Sequence, residues 1–251
     1  ASDVYKRQFQ ASDITCTAQT DETLEKMRNI NEDFNLTHDN ITAVRESDLV
    51  IIAVKPWRVQ SVIEEIRPVL QFDKQIIISI AAGVTFEQLN SHLKKSIASK
   101  VQVNPVIFRV MPNTAIEVKS SLTFISACNA SEDQINLVLS IFNELGKAIL
   151  IEERLMEAGT ALASSGIAFA LRYIRAAIEG GVELGFYPKQ AQEIVVHTVK
   201  GAIDLLLENQ RNPEAEIDKV TTPGGITIKG LNEMELSGFT SAVIRGLKAS
   251  R

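Results

Sequence analysis

In a chain of 251 residues, the stretch Thr221-Thr222-Pro223-Gly224-Gly225-Ile226-Thr227-Ile228 has the residue types and the order to hold an anion. Thr221 and Thr222 carry hydroxyls suited to a helix N-cap, and Pro223 suits a first helical turn, where its missing N–H costs nothing. Gly224 and Gly225 have no side chains, so a ligand can come close to the backbone. Ile226, Thr227 and Ile228 then open an apolar helix. Its start offers unpaired N–H groups and the positive end of the helix dipole. The chemistry that fits is carboxylate binding; a plain capped helix after a turn would use the same residues.

Little else in the chain has the spacing of a reactive centre. There are three histidines, and Cys16 and Cys128 lie far apart without a metal-ligand pattern. His38 reads as a lone surface histidine, and His197 as one packed on a helix. No metal site is expected, and cysteine usage of this kind suits a reduced, cytoplasmic protein. The net charge of −5 argues against nucleic acid or an anionic membrane as the main partner. With 45% hydrophobic and 23% charged residues the chain can bury a core. No apolar run reads as long enough to span a bilayer, and no signal peptide is visible.

The elements that must position these residues fall into two parts. Up to residue 151, strand-like and helix-like runs alternate. Leu49–Val54 is a continuous apolar run, as expected of a parallel strand buried on both faces, and it ends at Lys55-Pro56. Ile76–Ile80 repeats the pattern and exits into Ala81-Ala82-Gly83. Val106–Val110 exits into Met111-Pro112-Asn113-Thr114. Leu122–Ala127 and Lys147–Ile151 complete the series. Helices are expected over 21–30, 42–46, 58–70, 86–94 and 132–145, with Thr85 and Ser131 as caps. This alternation predicts an α/β fold with a doubly wound parallel sheet, which binds ligands beyond the carboxyl ends of its strands. From residue 152 onward the pattern changes to long helices. One runs over 155–184 with a break at Ser164-Ser165-Gly166, one starts at Pro188, and one opens at Asn212-Pro213. Two domains are expected, 9–151 and 152–251.

The first residues stand apart. Ala1 through Gln8 fit nothing downstream and read as a scar, so they are excluded from the fold. A dinucleotide-binding fold normally opens with a strand, a G-x-G-x-x-G loop and a helix. The first glycine here is Gly83, so that first strand and glycine loop are expected to be missing.

Four segments together resemble the Δ1-pyrroline-5-carboxylate reductase family. Val220–Leu231 is similar to its C-terminal signature V-T-S-P-G-G-T-T-I-x-G-L. Ala53-Val54-Lys55-Pro56, Ala81-Ala82-Gly83-Val84-Thr85 and Arg109-Val110-Met111-Pro112-Asn113-Thr114 follow its other motifs in the right order. The likeness runs from about residue 12 to the end of the chain. It implies a Rossmann-like first domain and an all-helical second domain through which the protein associates with itself. It also implies reduction of pyrroline-5-carboxylate to L-proline by NADPH or NADH. Asn40, in Leu36-Thr37-His38-Asp39-Asn40, would contact the adenosine part of the cofactor; read without the family it is a turn or cap residue. Ala53, Val54, Lys55 and Pro56, then Ala81, Ala82 and Gly83, and then Asn113 would line the dinucleotide. The run Thr17-Ala18-Gln19-Thr20, at the ribose end, has no carboxylate before Asp21, which slightly favours NADPH, but no arginine either, and a neutral turn would use the same residues.

The reaction adds hydride to a cyclic C=N bond whose protonated form is already electrophilic. Orientation is therefore the main demand. The substrate carboxylate is assigned to the N–H groups of Gly224, Gly225 and Ile226 with the Thr222 hydroxyl. Thr227 is the candidate catalytic residue, placed to hydrogen-bond the ring nitrogen. Ser165 belongs to the substrate side through the family's S-G-S-G-P-A-Y segment. There this chain has Ala163-Ser164-Ser165-Gly166-Ile167-Ala168-Phe169, keeping Ser165, Gly166 and Ala168 and changing the rest. Two alternatives stay open: a truncated or non-catalytic paralogue, and a reductase of another cyclic imine.

Overall fold

The computed structural model describes residues 9–94 and 104–251. The chain divides into two compact units, residues 1–159 and 160–251. The division falls after Gly159, inside the helical stretch that follows the last strand. Residues 1–8, read as a scar, lie outside the described residues.

The first unit starts with β1 (Thr15–Thr17), α1 (Asp21–Ile30), β2 (Asn35–Thr37) and α2 (Asn40–Arg45). Next come β3 (Leu49–Ile52), α3 (Val59–Ile66), β4 (Ile76–Ser79), α4 (Phe86–Leu93) and β5 (Val106–Met111). It closes with β6 (Ser121–Cys128), α5 (Glu132–Asn143), β7 (Gly146–Leu150) and the short α6 (Met156–Gly159). Side-chain caps fix several helix starts: Thr20 for α1, Asp39 for α2, Thr85 for α4 and Ser131 for α5. Thr85 with Gln88, and Ser131 with Gln134, form reciprocal capping boxes. The helix expected over 58–70 is shorter, because Pro56–Arg58 winds as a 3₁₀ turn before α3 begins.

The strands form a five-stranded sheet of order β3-β4-β5-β6-β7 and a separate parallel pair, β1-β2. β3, β4 and β5 run parallel in register, Val50 opposite Ile77 and Ile77 opposite Ile107. β6 is antiparallel to β5. The link between them holds only a 3₁₀ turn, Thr114–Val118, too short for the crossover a parallel pair needs. Alternate residues face opposite layers. Val50, Ile77 and Ile107 pack with Val59, Ile63 and Ile66 of α3 and Leu89 and Leu93 of α4. Ile76, Ile78 and Phe108 pack with Val138 and Phe142 of α5. Each such buried aliphatic side chain contributes about 1.5–3 kcal/mol.

The expectation that the Leu49–Val54 strand is buried on both faces is corrected. Ile51 is 51% exposed. β3 is an edge strand, and among the described residues no strand joins it to β1, so one face of β3 lacks the cover an interior parallel strand receives.

The second unit starts with a π-helical segment, Thr160–Ser165, which is the form taken by the break expected at 164–166. Helix α7 (Gly166–Glu183) follows, then α8 (Pro188–Asn209), α9 (Pro213–Lys219), α10 (Ile226–Leu236) and α11 (Phe239–Ala249). α7 packs along α8, and α11 packs on both α10 and the π-helical segment. Few apolar side chains here are covered: Leu162, Leu171, Ile194, Ile203 and Leu205 are all exposed. His197, expected to be packed, is exposed as well. The reading that no run is long enough to cross a membrane is also corrected. Glu153–Glu183 is a helical run of 31 residues containing an 18-residue stretch of mean hydropathy 1.2, long and apolar enough by length and composition alone. Its charges cluster toward its ends, which leaves an apolar middle.

Candidate functional site

The segments expected to line a dinucleotide come together on one rim of the first unit. Ala53-Val54-Lys55-Pro56 leaves the carboxyl end of β3, Ala81-Ala82-Gly83 that of β4, and Asn113 that of β5. Because these three strands are parallel neighbours, their exits share one edge of the sheet. Ala53, Lys55, Pro56, Ala82 and Gly83 are exposed there, while Ala81 is buried. Gly83 has φ of +76°, and a Cβ placed on it meets nothing within 4 Å, so the backbone is bare and open at this point. Asn113 accepts the Ala115 N–H through Oδ1 at 3.1 Å, and its own N–H donates to Ser121 Oγ at 3.1 Å, which fixes the turn after β5.

Asn40 lies beyond β2 as the first residue of α2, and its amide donates to Glu65 Oε2 at 3.1 Å. The cap of α2 is Asp39, not Asn40. Its carboxylate accepts from the Thr42 hydroxyl and N–H and the Ile41 N–H, and these bonds hold it below the usual carboxylate range.

Four side chains at the exit of β1, in two pairs, were not singled out together by the sequence. His38, expected to be lone, has Nδ1 2.7 Å from the Ala18 carbonyl and Nε2 2.9 Å from Asp21 Oδ1. The backbone contact first, then the carboxylate, raise its pKa above the ordinary 6.5. Arg58, from the turn after β3, donates through Nη1 to Gln19 Oε1 at 2.9 Å. The run 17–20 has no arginine of its own, and only the fold brings one in from 39 residues away.

Behind the rim, Arg109 of β5 is buried, with Nη1 2.7 Å from Glu153 Oε1. The same oxygen accepts the N–H of Phe86, the first residue of α4, at 2.6 Å. The Arg109 guanidinium also sits 6.0 Å from the centre of the Phe86 ring.

In the second unit, the glycine stretch is built differently from its expected form. Neither Thr221 nor Thr222 caps α10: the cap is Gly225, and no side chain bonds the helix start. Thr221 Oγ1 instead donates back to the Ile217 carbonyl at 2.7 Å, closing the end of α9. Pro223 is not in the helix. The Gly225 N–H donates to the Thr222 carbonyl at 2.9 Å, and Gly224 has φ of +72°. Thr222-Pro223-Gly224-Gly225 therefore fits a type II turn, with proline second and glycine at the positive-φ position. A Cβ on Gly225 would stand 2.6 Å from Thr222 Oγ1 and 3.0 Å from its carbonyl oxygen, which is why the fourth residue is glycine too.

This turn corrects part of the carboxylate assignment. The Gly225 N–H is already used inside the turn, so it is not free for a ligand. Among the described residues no acceptor takes the N–H groups of Ile226, Thr227 or Ile228. The anion-ready start of α10 thus lies one or two residues further on than expected. Thr222 and Thr227 are exposed. Ser165, half-buried, ends the π-helical segment. Insertions of this kind recur at functional sites. Ser165 and Thr227 are linked through α11, which packs on the elements that carry them.

A rim of parallel-strand exits in one unit, and an unpartnered helix start in a helical second unit, define a two-part α/β fold of the dinucleotide-binding class. The comparisons with known proteins give the family. The pyrroline-5-carboxylate reductase dimerisation family matches residues 153–251. The family described as NADP oxidoreductase, coenzyme F420-dependent, matches residues 4–83. Pyrroline-5-carboxylate reductase 2 of Dictyostelium discoideum is 36% identical over 96% of this chain and 83% of its own length. Pyrroline-5-carboxylate reductase 1 of the same organism is 38% identical over 98% of this chain, but the match spans only 45% of that longer protein. The solved pyrroline-5-carboxylate reductase of Coxiella burnetii superimposes with a TM-score of 0.84 at 29% identity, covering 94% of this chain and 85% of that one. This chain belongs to the pyrroline-5-carboxylate reductase family.

Proposed function

We propose that the protein reduces pyrroline-5-carboxylate to L-proline with hydride from NADPH or NADH, as the last step of proline biosynthesis. The observation that carries this reading is the pairing of two sites in one family member. One is a strand-exit rim with bare backbone at Gly83. The other is a helix start at α10 with no internal acceptor for its first N–H groups. The family whose description names NADP covers the part of the chain that holds β1 to β4.

On this reading the rim residues Ala53–Pro56, Ala81–Gly83 and Asn113 hold the dinucleotide, with Asn40 at its adenosine end. When bound, the cofactor supplies the hydride. The Ile226 and Thr227 N–H groups take the substrate carboxylate, helped by the Thr222 hydroxyl and the Gly224 backbone. The Thr227 hydroxyl bonds the ring nitrogen, and Ser165 faces the substrate side. The exposed apolar faces of the second unit are covered by a second copy of the chain, in line with the dimerisation family matched there. Free Cys16 and Cys128 suit the reducing cytoplasm.

The test is oxidation of NADPH in the presence of pyrroline-5-carboxylate, with proline identified as product and the oligomeric state read by light scattering. Turnover of other cyclic imino acids but not of this one would favour a related imine reductase. The altered segment Ala163–Phe169 supports keeping that second reading, since Ile167 and Phe169 depart from the family pattern within four residues of Ser165.

A further inference from the structure

We infer that Arg58 selects NADPH over NADH by pairing with the 2′-phosphate on the adenosine ribose. The inference rests on the dinucleotide reading of the rim and names the group that sets its preference. In a doubly wound sheet the ribose lies at the exit of the second strand of the fold. A free carboxylate there binds the 2′-hydroxyl of NADH, and a guanidinium accommodates the 2′-phosphate. Here that exit is the Ala18-Gln19-Thr20 turn after β1. Arg58 reaches it from the turn after β3 and bonds Gln19 Oε1 through Nη1.

Two further observations point the same way. Arg58 has no carboxylate partner among the described residues, and its other guanidinium N–H groups take no acceptor there. It is a cation with spare donors at the place where a dianion would arrive. The carboxylate that would favour NADH, Asp21, is already occupied. His38 bonds Asp21 through Nε2 while its Nδ1 is anchored on the Ala18 carbonyl. These contacts suit a ring protonated at both nitrogens, whose charge the Asp21 carboxylate offsets. Of the four side chains Gln19, Asp21, His38 and Arg58, only Arg58 then carries a charge that none of the others offsets. A guanidinium also suits the geometry, since its planar fork matches phosphate oxygens two at a time.

The test compares binding of adenosine 2′,5′-bisphosphate and adenosine 5′-monophosphate to the protein by calorimetry, with no turnover involved. The wild-type protein is expected to bind the bisphosphate at least about tenfold more tightly. Arg58→Gln should remove most of that difference and leave the monophosphate affinity unchanged. Arg58→Lys should keep part of it. Gln19→Glu, which places a carboxylate against Arg58, should weaken the bisphosphate selectively even if Arg58→Gln folds poorly. Equal affinities in the wild type, equal loss of both ligands in the variants, or no binding of either would overturn the inference. Failure of pyrroline-5-carboxylate turnover with nucleotide discrimination intact would count against the proposed reaction and leave the role of Arg58 standing.

Discussion

Arg109 and Glu153, 44 residues apart, meet at 2.7 Å, and the carboxylate oxygen that binds the arginine also accepts the first N–H of α4. One oxygen thus ties β5, whose exit leads to Asn113, to the helix that follows Ala81–Gly83. Two loops of the rim are held in register by a single ion pair. Arg109 is only 6% exposed, so its charge depends on Glu153. Replacing Glu153 by Gln keeps an acceptor for Phe86 but leaves the guanidinium without a counter-charge. The expected loss is about 2 kcal/mol in urea unfolding, with a raised KM for the dinucleotide. An unchanged midpoint would show that the pair is not needed to hold the rim.

The two glycines of the turn before α10 should fail in different ways. Gly224→Ala faces open space but must adopt a positive φ, which costs about 1 kcal/mol. Gly225→Ala places a methyl group against the Thr222 hydroxyl and carbonyl and forces the turn open. It should raise KM for the imino acid about tenfold by moving the start of α10, with a smaller effect on kcat. Equal, purely thermal effects of the two changes would argue against a substrate site at this helix start.

Thr227 is exposed, and no hydrogen bond of its hydroxyl fixes it within the described residues. Thr227→Ala should therefore leave the fold intact and lower kcat/KM about tenfold, the value of one hydrogen bond made in the transition state. Thr227→Ser should retain most of the activity. Full activity in the alanine variant would remove Thr227 from the chemistry.

His38 gives a pH dependence with a definite sign. Its folded pKa lies above 6.5 because Ala18 and Asp21 accept from the charged ring. The stabilisation is therefore fully present below pH 6.5 and is lost as pH rises through the folded value. Wild type and His38→Gln should differ most in acid and converge in mild alkali when their unfolding midpoints are followed across pH. A difference that grew with pH would contradict the assigned contacts.

Much of the first unit could be read from local chemistry. Thr85 and Ser131 cap α4 and α5 through neighbours three residues away. The rim segments were legible because each directly follows an apolar strand. What could not be read was set by distance or by competition. Arg58 meets Gln19, and Arg109 meets Glu153, only after the strands are laid side by side. At 221–225 two hydroxyls and a proline looked like a helix cap. A Pro-Gly pair satisfies a type II turn equally well, and the turn won because Gly224 can take the positive φ. Ile51 reads as core by its type. Its exposure depends on β3 standing at the edge of its sheet, and no local pattern encodes that.

The most direct test is to follow NADPH oxidation by the protein with pyrroline-5-carboxylate as substrate and to identify the product. The account predicts stoichiometric formation of L-proline, with the KM for the imino acid raised about tenfold when the start of α10 is disturbed by Gly225→Ala. A folded protein that binds the nucleotide yet reduces no pyrroline-5-carboxylate, or that reduces a different cyclic imine in its place, would contradict it.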